Sequence, residues 1–232
     1  MKRYGLLTMA LVAAVTIGCN SNDRNNTSAN TPAGSPVGTA GTADDRNNVS
    51  NGDKDFVKDV SAANMAEIEL GRLATERGTN AQVKKFGQMM IDDHTKAGDQ
   101  LSAIANQHNI AMATELDDTH RDLRDKLSKL SGADFDREYI DAMVDGHNDV
   151  LDKLGSRVDK KSLEDFKAQT TDPATGRKVD EKVEAKTVIP EKSDNVVTSS
   201  INEWAANAYP VVQAHLESAK TIQSTLKKRM TN

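Results

Sequence analysis

The sequence predicts an all-α protein built around a four-helix bundle, and three observations carry that expectation. Aromatic residues are scarce, with 4 Phe, 3 Tyr and 1 Trp among 232 residues that are 37% hydrophobic, whereas strands draw heavily on aromatic and β-branched side chains. Apolar residues recur at alternating spacings of three and four through four long stretches, which is the seam of a helix packed against others. Glycines and small polar residues fall between those stretches, where helices stop and start. The length suits one ordinary domain with additional segments. A net charge of -5 offers no phosphate-neutralising surface, so no nucleic-acid partner is expected. The single cysteine excludes an intramolecular disulfide and a cysteine-rich zinc site.

Residues 1–18 read as a secretory signal: Lys2 and Arg3 precede an uncharged run from Gly5 to Ile17, too short for the roughly 20 residues of a spanning helix. Thr16-Ile17-Gly18-Cys19 resembles the bacterial lipobox, with Thr16 where leucine is usual. Cys19 is therefore the expected lipidation site, and the lipid is the expected contact with a membrane. Asn20 follows it, in place of the aspartate that marks retention in the inner membrane. The expected location is the cell envelope, anchored in the outer membrane and facing the periplasm. Residues 19–54 are then the anchor and a linker. From Asn20 to Lys54 only Val37 and Val49 are sizeable apolar residues, so the segment cannot offset its conformational entropy and is expected to be a disordered tether.

The bundle is assigned to 55–232. Its first helix, Asp55 to Arg77, carries Phe56, Val60, Ala63, Glu67, Leu70 and Ala74 on its seam, and Gly78 ends it. Thr79-Asn80 can cap the second, whose seam is Val83, Gly87, Met90, His94, Ala97, Leu101, Ile104 and His108. So short a turn predicts an antiparallel pair. A shorter amphipathic stretch lies between Ile110 and Ser131. The third long helix, capped by Asp134, presents Ile140, Met143, His147, Val150 and Leu154. The last, Val196 to Lys228, presents Ile201, Ala205, Ala208, Val212, His215, Ala219, Ile222 and Leu226, with Pro210 expected to kink or break it. Between these two, 160–195 is rich in Lys, Asp, Glu and Thr and reads as a flexible insert longer than a bundle connection needs.

The candidate site consists of polar residues where apolar ones are expected: Glu67, His94, His147 and His215, one on each long helix. At about 1.5 Å of rise per residue they fall near mid-bundle. Two readings follow. Three imidazoles and a carboxylate can converge on a divalent transition metal (iron, copper, zinc or manganese), with Asp93 and Asp145 as outer partners. Alternatively, neutral histidines hydrogen-bond Glu67, Tyr139 or trapped water and set the register of the bundle.

Several motifs together resemble the bacterial domain of unknown function 4142 family. They are Ala62-Ala63 with Met65 to Ala74, Val83 to Phe86, Met90 to His94, Ser131 to Arg137 with Tyr139, and Met143-Val144 with His147. Trp204-Ala205 through Tyr209-Pro210, with His215-Leu216, is similar to the family's closing motif. The resemblance spans 55–159 and 196–228, and the insert at 160–195 departs from the usual short connection. It implies a ferritin-like four-helix bundle in exported or lipid-anchored bacterial proteins of unestablished activity. A di-iron centre does not fit, because such sites need Glu-x-x-His pairs. Here Ile91, Val144 and Val212 stand three residues before the histidines and Ala97, Val150 and Ser218 three after. No G-x-S-x-G, P-loop or dinucleotide fingerprint is present, so no catalytic residue is assigned and enzymatic activity is not expected. The first functional expectation is an envelope lipoprotein whose bundle is a binding or structural module. The alternative is a ferritin-like metal-binding protein, with redox activity open.

Overall fold

The structure is a computed structural model describing residues 45–170 and 187–228. The expected signal, Cys19, most of the tether and 171–186 of the insert lie outside the described residues. The chain there folds as six α-helices: α1 (Asn51–Arg77), α2 (Ala81–Gln107), α3 (Asp118–Ser128), α4 (Gly132–Gly155), α5 (Lys160–Thr170) and α6 (Val196–Lys228). Among the described residues there is no strand, only an isolated antiparallel bridge between Val158 and Pro190.

α1 packs chiefly on α2, and α4 on α6; α1 also meets α4 and α2 meets α6, so the four long helices close a ring. Side chains facing one another set the directions. Asn64 and Gly71 of α1 meet His94 and Gly87 of α2 in reverse order, as Asp59 and Glu67 meet Lys153 and His147 of α4. Neighbours in the ring therefore run antiparallel, and α2 and α4 run parallel. The stretch from His108 to Ser131, with α3 on it, crosses the length of the bundle to make that possible. α1 and α2 approach unusually closely where Gly71 faces Gly87: a Cβ on Gly87 would lie 2.7 Å from Ala74 Cβ and 2.8 Å from the Gly71 carbonyl oxygen.

The core has two apolar clusters. One, at the end where α1 and α6 begin, gathers Phe56, Val60, Leu101, Leu154, Ile201 and Trp204. The other gathers Leu70, Met90, Phe135, Tyr139, Met143 and Ile222. Burying each large side chain is worth about 1.5–3 kcal/mol, so these clusters hold the helices together.

Three boundaries differ from expectation. α1 begins at Asn51, inside the stretch read as tether, because Ser50 caps it: its Oγ accepts from the Asp53 N–H and donates to the Asp53 carboxylate. α4 begins at Gly132, ahead of Asp134, with Ser131 at the cap position. The insert is not wholly an excursion either. α5 buries Phe166, edge-on to Tyr209 at 5.7 Å, and Val188 is buried beside it in the first cluster. A few scattered apolar residues are enough to fasten both described ends of the insert to the bundle. α6 passes through Pro210 as one helix of 33 residues.

Candidate metal centre

The seam spacing puts one polar residue of each long helix between the two apolar clusters. Glu67 precedes Leu70 on α1, His94 follows Met90 on α2, His147 follows Met143 on α4 and His215 follows Val212 on α6. All four are buried, with 7%, 7%, 1% and 3% of their surface exposed. The three imidazoles form a nearly equilateral triangle, with ring centroids 5.9 Å (His94 to His147), 5.5 Å (His94 to His215) and 5.6 Å (His147 to His215) apart. One ring nitrogen of each lies within 4.8 Å of those of the other two.

Each ring is hydrogen-bonded at one nitrogen. His94 Nδ1 donates to Asn64 Oδ1 at 3.0 Å, His147 Nδ1 to the Met143 carbonyl at 2.8 Å, and His215 Nε2 to the Asp93 carboxylate at 2.8 Å. These oxygens only accept, so each bond places the proton on the bonded nitrogen and leaves a lone pair on the other. The nitrogens so left, His94 Nε2, His147 Nε2 and His215 Nδ1, are buried and have no hydrogen-bond partner. A buried polar atom left unpaired costs about 1–3 kcal/mol.

Electrostatics keep the cluster neutral. Burial, then the neighbouring His147 and His215, push His94 down to about 3. Burial, then His215, push His147 down to about 4 against the upward pull of the Met143 carbonyl. His215 is lowered by burial, with Asp93 opposing. Burial raises Glu67 to about 8. At neutral pH the layer therefore holds uncharged imidazoles beside a protonated carboxyl group, a donor set suited to a transition metal.

The expected residues do not all converge. Among the described residues the grouping within ligand reach is His94, His147 and His215. Glu67 stands beside that grouping: its Oε1 lies 3.5 Å from His147 Nδ1, the nitrogen already turned to Met143, and its Oε2 has no partner. Asp93 is in place on His215. Asp145 is exposed, because a residue two positions from His147 points about 200° away round the helix. Tyr139 is fully buried and stacked on Phe135 at 5.8 Å. Its hydroxyl has no partner, and burial, with Glu67 adding, raises its pKa well above the usual phenol value. Cys19 lies outside the described residues.

Two partners of the histidines escape a reading of the sequence. Asn64 is one; its position three residues before Glu67, on the same helix face, is the signal that could have found it. The Met143 carbonyl is the other, and main-chain acceptors leave no mark in a sequence.

The described chain is thus an all-helical bundle with a buried three-histidine layer dividing its core. It belongs to the family described as "Domain of unknown function (DUF4142)", whose model matches residues 38–176. The matched span contains Glu67, His94 and His147 and ends before α6 and His215. No curated protein and no solved structure matches the chain.

Proposed function

We propose that this chain is a ferritin-like, envelope-anchored helical bundle that holds one divalent transition-metal ion between His94 Nε2, His147 Nε2 and His215 Nδ1. The observation that carries the reading is the pattern of half-satisfied rings: three rings from three helices, each bonded at one nitrogen and bare at the other, bring ring nitrogens within 4.8 Å of one another in one buried place. Outer partners of this kind, an amide, a main-chain carbonyl and a carboxylate, are what orient and strengthen imidazole ligands. Metal–nitrogen bonds of about 2.0–2.1 Å require the rings to close slightly on the ion. The rival reading, a purely structural polar layer, has to give those three nitrogens to trapped water or leave them unpaired at about 1–3 kcal/mol each. With imidazole donors alone, iron, copper and zinc are the favoured ions, and manganese is disfavoured without more oxygen ligands. The absence of Glu-x-x-His pairs makes the site mononuclear in this reading. The crossover between α2 and α4 supports the ferritin-like topology, which has one such long connection.

The test is metal analysis of the mature domain purified from its native envelope without an affinity tag. The expected result is one ion per chain, and a stabilisation of about 2.7 kcal/mol when the ion is present at 100 times its Kd. The double variant His94→Leu/His147→Leu should lose both and keep its helix content. No stoichiometric metal, together with no thermal shift on adding iron, copper, zinc or manganese, sinks the reading. The location belongs to the same proposal and rests on Lys2-Arg3, the apolar run 5–17 and Cys19. A Cys19→Ser variant should leave the membrane fraction; its retention there counts against lipidation.

A further inference from the structure

The metal reading leaves open whether the ion would be sealed in or reachable. A cleft of about 260 Å³ lies between α2 and α6, and His94 and His215 are among its lining residues. His147 does not line it and is 1% exposed. Two of the three rings therefore border this cleft, and the third supports them from within the bundle. Asp93, whose carboxylate holds His215, is 43% exposed at its side chain and lines the cleft too. So the cluster is buried yet separated from solvent on this side by little more than its own rings.

The donor count points the same way. Structural metal sites are closed by four protein ligands, whereas sites with three keep a position for an outside molecule. Glu67, the nearest candidate for a fourth, sits against His147 Nδ1 and does not line the cleft. Three neutral imidazoles leave both charges of a divalent ion uncompensated among the ligands, with Asp93 offsetting one at a distance. Lys96, exposed at the cleft, adds a further positive charge, while Gln100 and Asn207 supply amides. The volume lies just below the roughly 300–1,000 Å³ of pockets for drug-sized ligands, which favours a small ligand.

We infer that a small anion, of azide or carboxylate size, enters through the α2–α6 cleft and completes the coordination of the ion held by His94, His147 and His215. This rests on the metal reading above. The experiment uses the full mature chain loaded with cobalt(II) as a spectroscopic probe and titrated with azide. Cobalt(II) should give a visible spectrum that changes saturably with azide. Val211→Trp, at a cleft residue that is 44% exposed, should keep the cobalt spectrum and lose the azide response. Lys96→Glu, a surface change that spares the fold, should weaken azide by about fivefold. A cobalt spectrum indifferent to azide overturns the inference and leaves the metal site standing. An azide response unchanged in both variants overturns the proposed route. Failure to bind cobalt(II) overturns the metal reading and this inference with it.

Discussion

Two sets of buried polar groups in this bundle are finished to different degrees. Near the start of α1, the Asp53 carboxylate is 1% exposed and accepts from Ser50 Oγ at 2.7 Å, Thr198 Oγ1 at 2.8 Å and the Arg157 guanidinium. That guanidinium also donates to the Gly52 carbonyl and lies 4.5 Å over the Phe56 ring. At the opposite end, Asp136, 2% exposed, accepts from the Thr79 N–H, the Thr79 hydroxyl and the Asn80 N–H, tying the α1–α2 turn to α4. Between these ends, each histidine of the central layer is satisfied on one side and bare on the other. A carboxylate with several donors is complete as it stands and serves structure. A ring held at one nitrogen and bare at the other, packed against two like rings, has a lone pair left for something the polypeptide does not supply.

The comparison can be broken at either end, and the largest effect is expected at Asp53. Asp53→Ala leaves Arg157 and two hydroxyls without their acceptor and should cost about 3–5 kcal/mol in urea or thermal denaturation. A loss below about 1 kcal/mol would erase the contrast with the histidine layer. Asp136→Ala removes three hydrogen bonds to one buried carboxylate and should cost about 2–3 kcal/mol, read the same way.

Smaller effects are expected at the outer partners of the rings. Asn64→Ala or Asp93→Ala should lower metal affinity about 10–100-fold in calorimetric titration. Unchanged affinity in both would mean that these hydrogen bonds serve packing alone.

The two regions should also titrate with opposite sign. Asp53 is lowered from 3.8 because its three hydrogen-bonding partners together outweigh burial, which is the largest single influence and opposes them. Its contribution is therefore fully present above the unfolded value and is lost as pH falls through the depressed folded one. Glu67, raised from 4.5 to about 8, behaves oppositely: between those values the folded state holds a proton that the unfolded chain has released. Above about 6.5, where the histidines lowered by burial are neutral in the folded and the unfolded chain alike, metal-free protein should lose stability as pH rises toward about 8, by at most about 1.4 kcal/mol per pH unit; below that range the same histidines, which the unfolded chain protonates, act in the opposite sense. Glu67→Gln should abolish that loss in denaturation measured from about pH 6.5 to about pH 8, and an unchanged slope would refute it. The smallest change belongs to metal-free His94→Leu/His147→Leu, which should match or exceed the parent's stability, within about 1 kcal/mol, because apolar groups replace unpaired polar ones.

Much of this was legible before folding. The alternation that placed Phe56, Val60 and Leu70 on one face, and Val83, Met90 and Leu101 on another, names buried residues, since a helix turns 3.6 residues per turn whatever surrounds it. The same periodicity singled out the three histidines. It could not show that Glu67 would face the wrong nitrogen of His147, because that depends on how α1 and α4 are rotated against each other. The polar run around Ser50 and Asp53 read as tether because the acceptor role of Asp53 needs Arg157 and Thr198, which are remote in the chain and adjacent only after folding.

The sequence by itself determined the helices, their buried faces and the presence of an ionisable residue in every long seam, because those follow from local periodicity. Only the tertiary structure decided which nitrogen of each ring is spent and which is free. That choice depends on Asn64, Asp93 and the Met143 carbonyl arriving behind the rings, and hydrogen bonds are made between positions in space.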